Sequence, residues 1–300
     1  METQRFTQQS LKRAAELVRE GELIAFPTET VYGLGANALL EQAVAQVYQV
    51  KGRPSDNPLI VHVCDRQMMQ HYSEALPEIA NKLIEQFWPG PLTLILPMKP
   101  GSFSPLVTGG LTTVAFRMPD HRLTLQLIAQ AGVPLVGPSA NTSGKPSPTT
   151  ADHVLHDLQG KIAGVLDGGA TQIGVESTVL DLSDPLAGPL ILRPGAVTLE
   201  QLEEVIGKGS VGMDQHLVTD QEAPKAPGMK YKHYAPDAPV WIVKNTATEW
   251  RRAIEWARGQ KKRVGLFADQ ATVDQFNEGV HACISFGPNS VEEATKQLFS

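Results

Sequence analysis

Short apolar runs, most of them stopped by Pro, Gly or a polar cluster, alternate along this chain with stretches of helical period, and that alternation constrains the fold most. Leu23-Ile24-Ala25-Phe26 ends at Pro27, and Leu92–Leu96 follows the Trp88-Pro89-Gly90-Pro91 turn. Leu59–Cys64, Thr112–Arg117, Val133–Val136, Ile162–Leu166, Ser177–Leu182 and Pro189–Arg193 likewise read as buried strands. Leu11–Arg19, Leu39–Val50, Leu76–Phe87, Leu123–Ala131, Ala151–Leu158 and Leu199–Ile206 read as helices. Several strands follow one another with no helix between them. The order predicts an α/β (α+β) chain with a twisted mixed sheet, not a regular doubly wound one.

Periodicity is lost between Gly207 and Pro239, where Gly, Pro, Asp and Gln dominate, so residues 207–238 read as a linker after a first domain at 1–206. Beyond it, strand patterns at Val240–Val243, Val264–Phe267 and His281–Phe286 alternate with helical patterns at Thr248–Ala257, Thr272–Asn277 and Val291–Phe299. This predicts a small parallel α/β unit over 239–300. It is short for such a unit and stops inside a helical pattern, so a truncated second domain is expected.

The 300 residues are 42% hydrophobic and 19% charged, which fits a packed globular protein and excludes a disordered one. A net charge of −6 argues against a broad nucleic-acid-coating surface but not against a small basic cavity. Cys64 and Cys283 lie in apolar segments and read as two buried free thiols. The polar start, Met1–Ser10, shows no signal peptide, and no apolar run is long enough to span a membrane. A soluble, cytoplasmic protein with no membrane contact is expected.

Two polar segments abut the apolar runs. Lys51-Gly52-Arg53-Pro54-Ser55-Asp56-Asn57-Pro58 offers two cations and an amide, and Ser139–Pro148 offers hydroxyls, an amide and Lys145. Ordering so many polar groups at strand ends is costly unless they meet a charged ligand, and a nucleotide triphosphate suits them. Lys51-Gly52-Arg53 taken alone reads first as a solvated basic loop, and His62 as a satisfied core residue. Arg117 and Arg193 each end a buried strand, where a guanidinium needs an anion or a carboxylate, so either a shared anionic ligand or a pair of structural salt bridges explains them. Phe26–Gly35 reads as a strand leaving into a Gly-rich turn before a helix. It lacks the spacing of a dinucleotide fingerprint or P-loop. No zinc-protease helix, paired CxxC or GxSxG elbow is present, and the eight His are scattered, so no metal held by protein side chains is expected. Chemistry here would rest on positioning and charge neutralisation.

PTETVYGLG (27–35), KGRPSDNP (51–58), FWPGPLTL (87–94), FRMP (116–119), PSANTSGKPS (138–147), STV (177–179) and LRPG (192–195), in that order, resemble the Sua5/YrdC family. APGMKYKHYAP (226–236) is similar to the segment that marks its longer form. The resemblance implies a YrdC-like domain around a deep cavity, then a Rossmann-like domain. It implies a threonylcarbamoyl-AMP synthase, making threonylcarbamoyl-adenylate and pyrophosphate from L-threonine, bicarbonate or CO2, and ATP with Mg²⁺. The product would pass to the machinery that modifies tRNA at t6A37. By motif, Lys51, Arg53, Asn57, Thr113, Ser139, Asn141, Ser147 and Arg193 would hold ATP, with Tyr231 or Tyr234 reaching over the nucleotide. Thr30, His62, Arg117, Gly137 and Ser177 would hold threonine. Lys51, Arg53 and Arg117 would carry the catalytic charge. The residues suggest no general base. A weak contact with tRNA or double-stranded RNA is a further expectation, and a basic RNA-binding module is the competing reading.

Overall fold

In a computed structural model, residues 2–55, 57–214, 224, 238–288 and 290–298 are described. The chain divides into two compact units, Met1–Ala235 and Pro236–Ser300.

The first unit opens with β1 (Gln4–Phe6), α1 (Leu11–Glu20), β2 (Ile24–Phe26), β3 (Gly33–Asn37) and α2 (Glu41–Lys51). It continues with β4 (Ile60–His62), α3 (Arg66–Tyr72), α4 (Glu78–Phe87), β5 (Leu92–Pro97), α5 (Pro105–Thr108) and β6 (Thr113–Arg117). Then come α6 (Arg122–Ala131), β7 (Leu135–Val136), α7 (Ala151–Leu158), β8 (Gly164–Leu166), β9 (Thr178–Asp181), β10 (Leu190–Arg193), α8 (Leu199–Ile206) and β11 (Gly212–Met213). The strands form one mixed sheet in the order β1-β8-β2-β3-β7-β4-β6-β5-β9-β10-β11. The fold is a mixed α/β one, as the sequence pattern predicts.

Strand periodicity decides what each face of the sheet does. Val61, Val114, Phe116, Leu94, Leu96, Val136 and Leu180 point to one side and join the main core. Their neighbours in sequence point the other way. Ile60, Ala115, Ile95, Val179 and Leu192 form a separate small apolar cluster there. Ile24, Phe26 and Leu135 lie in a third cluster, with Leu11, Ala15 and Val18 of α1 and Leu127 and Ile128 of α6.

Several elements differ from the sequence reading. Gly33–Asn37 is a buried strand antiparallel to β2, not a turn. The strand is glycine-rich because Phe26 fills the space: a Cβ on Gly33 would lie 2.7 Å from its ring and one on Gly35 2.8 Å. Gln4–Phe6 joins the sheet by pairing parallel with β8, a partner about 160 positions away that a three-residue run cannot announce. The second unit contains α9 (Ala247–Gly259), β12 (Gly265–Ala268), α10 (Gln270–Phe276), β13 (Ala282–Ser285) and α11 (Val291–Gln297). Its two strands pair in parallel. Val240–Val243 is not a strand: Val240, Trp241 and Ile242 are largely exposed, and Trp241 instead stacks on Trp256 of α9. Cys64 is half-buried and Cys283 is exposed on β13, so the expectation of two buried thiols fails, though both are free. No helix among the described residues is long and apolar enough to cross a membrane.

Candidate active site

The side of the sheet that carries the small apolar cluster also carries a polar row. His62 and Arg117 end the parallel neighbours β4 and β6 and lie in register. One step past the Leu94–Phe116 pair, the antiparallel register places Thr93 of β5 opposite Arg117. Thr93 Oγ1 lies 2.8 Å from Ser177 Oγ, just before β9. Arg193, at the end of β10, donates from Nη2 to the carbonyl of Ser177 at 2.8 Å and to its hydroxyl at 3.0 Å. Five strands thus deliver an unbroken line of polar groups. Arg193 is there because of a register shift in the β9–β10 pair between Ile191 and Arg193.

Arg117 is 5% exposed and Glu29 4% exposed at the side chain, and Nη2 approaches Glu29 Oε1 to 2.8 Å. The same Nη2 donates to Thr30 Oγ1 at 2.9 Å. Glu29 Oε2 accepts from the backbone N–H of Asp120 at 3.1 Å. Backbone bonds from Ile173 and Gly174 to the carbonyls of Glu29 and Thr30 fix this loop in place. His62 stands edge-on to Phe26, with ring centroids 5.1 Å apart. Burial, helped by the charge of Arg117, holds its pKa down at about 3, so the imidazole is neutral through the physiological range. Gly137 makes room for it: a Cβ there would lie 2.6 Å from Phe26 Cζ and 2.7 Å from His62 Nδ1. The site residues Thr30, His62, Arg117, Gly137 and Ser177 therefore share one region.

A second group gathers around Lys51. This residue is the last of α2, and Gly52 follows in the left-handed conformation, which turns the chain sharply into Arg53. Lys51 Nζ donates to the carbonyl oxygens of Ser139 and Asn141, the latter at 2.6 Å. Burial and then the nearby Arg53 charge push its pKa down to about 7, with Asp157 offsetting only part of this. The 139–141 loop is tied to the Gly-rich strand through the Gly33–Ser139 bridge and the bond from Ala140 N to Tyr32 O. Tyr48 clamps the other loop, its hydroxyl lying 2.7 Å from Asn57 O and 2.8 Å from Leu106 O. Asn57 is fully buried, and its side-chain oxygen and nitrogen have no hydrogen-bond partner among the described residues.

Thr113 shares the Arg117 face of β6 but sits at the strand's opposite end, four residues or about 13 Å away. Ser147 donates to Glu176, a carboxylate that the sequence reading did not single out. Tyr231 and Tyr234 lie outside the described residues. Glu29 and Thr93 were also missed. The available signal for Glu29 was a lone carboxylate between two threonines in an otherwise apolar stretch. Among the described residues, no group of three or more His, Cys, Asp or Glu could hold a metal ion.

These features belong to a known class. Residues 16–195 match the Sua5/YciO/YrdC family, described as "telomere recombination", and residues 197–300 match the C-terminal domain of threonylcarbamoyl-AMP synthase. The chain is 53% identical over 260 residues to the Bacillus subtilis threonylcarbamoyl-AMP synthase, an alignment covering 87% of this chain and 74% of the relative. With the Pyrococcus abyssi threonylcarbamoyl-AMP synthase the identity is 50% over 301 residues, covering 99% and 85%. The crystal structure of P. abyssi Sua5 complexed with L-threonine superposes with a TM-score of 0.89 at 42% identity, covering all of this chain and 87% of that one. Escherichia coli YciO, at 21% identity and a TM-score of 0.60, shares the fold of the first unit. The chain belongs to the Sua5/YrdC/YciO family. Its function is that of a threonylcarbamoyl-AMP synthase, a nucleotidyltransferase-type enzyme of tRNA modification.

Proposed function

We propose that the first unit binds both substrates, L-threonine at the Arg117 group and ATP at the Lys51 group, and joins them through a carbamate. The observation that supports this reading is that the first unit buries two separate groups of cationic and polar side chains, one around Arg117 at the end of β6 and one around Lys51 at the end of α2. Arg117 faces the threonine carboxylate, while Thr30, His62 and Ser177 offer small polar groups to its hydroxyl and amine. Gly137 leaves the space in which they meet. Lys51 and Arg53 receive the phosphates, joined by Arg193, with Asn57, Thr113, Ser139, Asn141 and Ser147 around the rest of the nucleotide. Magnesium enters as MgATP, carried by the triphosphate oxygens and not by a protein cage.

In the reaction, the threonine ammonium gives up a proton to solvent, the free amine adds to CO2 and releases a second proton as the N–C bond of the carbamate forms, and a carbamate oxygen then attacks the α-phosphorus in line. Pyrophosphate leaves, and the surrounding cations stabilise the spreading charge. Holding both substrates within one unit supplies much of the advantage, because the reacting atoms need no search. Residues 1–206 would house this chemistry, with 207–238 as linker and 239–300 as the second domain. Pyrophosphate release measured with ATP, threonine and bicarbonate tests the reading. Release should fall to background when either threonine or bicarbonate is withheld, and release that ignores threonine would overturn it.

A further inference from the structure

Glu29 is buried beside the guanidinium that the threonine carboxylate would use. Its Oε2 is occupied by the Asp120 amide, but its Oε1 is different. Arg117 Nη2 lies 2.8 Å away, yet no donor among the described residues is aligned on Oε1. The nearest charges therefore attract without a directed hydrogen bond, leaving an acceptor with an unfilled lone pair in a buried setting. Such an atom costs free energy unless something donates to it. Arg117 Nε and His62 Nδ1 are likewise buried and without a partner. The cluster offers a fixed cation, a fixed carboxylate and a neutral imidazole side by side.

That set of charges is not what a simple carboxylic acid needs. An anion binding here would gain from Arg117 and be repelled by Glu29. An α-amino acid is a zwitterion, with its carboxylate and its ammonium joined through a single carbon. It alone satisfies both buried charges at once, and the ammonium brings three donors for the waiting oxygen. We infer that Glu29 Oε1 is the receptor for the α-ammonium of the amino-acid substrate, and so sets the preference of this site for α-amino acids over other carboxylates. The inference rests on the threonine end of the proposed site and adds a substrate-contacting residue to it. It gives Glu29 a role distinct from holding Arg117 in place. A purely positioning carboxylate would be blind to the substrate's amine.

Calorimetric titration separates the two roles. The ligands are L-threonine and 2,3-dihydroxybutanoate of matching configuration, in which a hydroxyl replaces the ammonium. The proteins are the full chain and its Glu29→Gln variant, which keeps the shape and an acceptor for the Asp120 amide. Glu29→Gln should weaken threonine binding by about tenfold or more, since the lost contact is a charge-assisted hydrogen bond. It should leave the hydroxy analogue unaffected or bind it better. Equal losses for both ligands would reduce Glu29 to a support for Arg117, and no loss for either would remove it from the site. If Glu29→Gln does not fold, Glu29→Asp takes its place. That variant keeps the charge but draws it back, and the same ligand-selective loss is expected. Failure of the unaltered protein to bind threonine at all would overturn the underlying reading of the site and not this assignment alone.

Discussion

Lys51, at the end of α2, is held by two neutral backbone carbonyls, whereas Arg117, at the end of β6, lies against the buried carboxylate of Glu29. Both cations are buried. Around Lys51, burial and the nearby Arg53 depress the lysine pKa, Asp157 offsets only part of this, and no carboxylate lies within ion-pair distance of Lys51 among the described residues. The Arg117 end is balanced internally. Under the proposed assignment the contrast would sort two substrates: a lysine held only by neutral carbonyls suits a polyanion, while a guanidinium paired with a carboxylate suits a molecule that itself carries both signs.

The largest test of this contrast is thermodynamic. Arg117→Ala strands the Glu29 charge in the interior and should cost about 3–5 kcal/mol of stability in urea unfolding. Combining it with Glu29→Gln should recover part of that loss. Lys51→Met strands no opposite charge, so a comparable loss of stability in that variant would break the comparison.

The next effect is on ligand binding. Lys51→Met should weaken ATP by about 1.5–3 kcal/mol, the range for a charged hydrogen-bonding group, and leave threonine binding alone. The pH dependence has a definite sign. With its pKa lowered from 10.5 to about 7, Lys51 is mostly neutral at pH 8 in the free protein. Phosphate oxygens favour its protonated form, so ATP binding at that pH should take up a proton. Titrations in buffers of different ionisation enthalpy read this directly, and Lys51→Met should abolish it.

Gly137→Ala sharpens the other end. The added methyl must displace both the Phe26 ring and His62, at about 1–3 kcal/mol, and threonine binding should suffer more than ATP binding. Ser177→Ala removes one hydroxyl that both Thr93 and Arg193 use. Its stability cost should be the smallest, about 1 kcal/mol by thermal melting.

The sequence pointed to polar residues of the candidate site more readily than to some of the strands around them. Arg117 and Arg193 stood out because a guanidinium at the end of an apolar run demands a partner, whereas His62 read by itself as a satisfied core residue and Lys51 stood out within its polar segment. Gly33–Asn37 did not, because a glycine has no side chain to show alternation, and the ring that explains it belongs to Phe26 on the neighbouring strand. The same limit hid Thr93, whose importance comes from lying opposite Arg117 in a register no local pattern encodes. Glu29 was legible only as a loop acid. What makes it chemical is burial, and burial is decided by residues 120 and 173–174, far along the chain. In the second unit, Val240–Val243 has the composition of a strand, yet composition supplies no neighbouring strand to pair with.

The atoms that grip Lys51 are main-chain oxygens, which every amino acid possesses. Exchanges at 139 and 141 that preserve the course of the loop leave the ammonium's grip intact. Drift at those two positions could therefore retune how the pocket meets its guest without unseating the buried cation, and tolerance there in a saturation screen would measure the guest's demands in isolation from the lysine's.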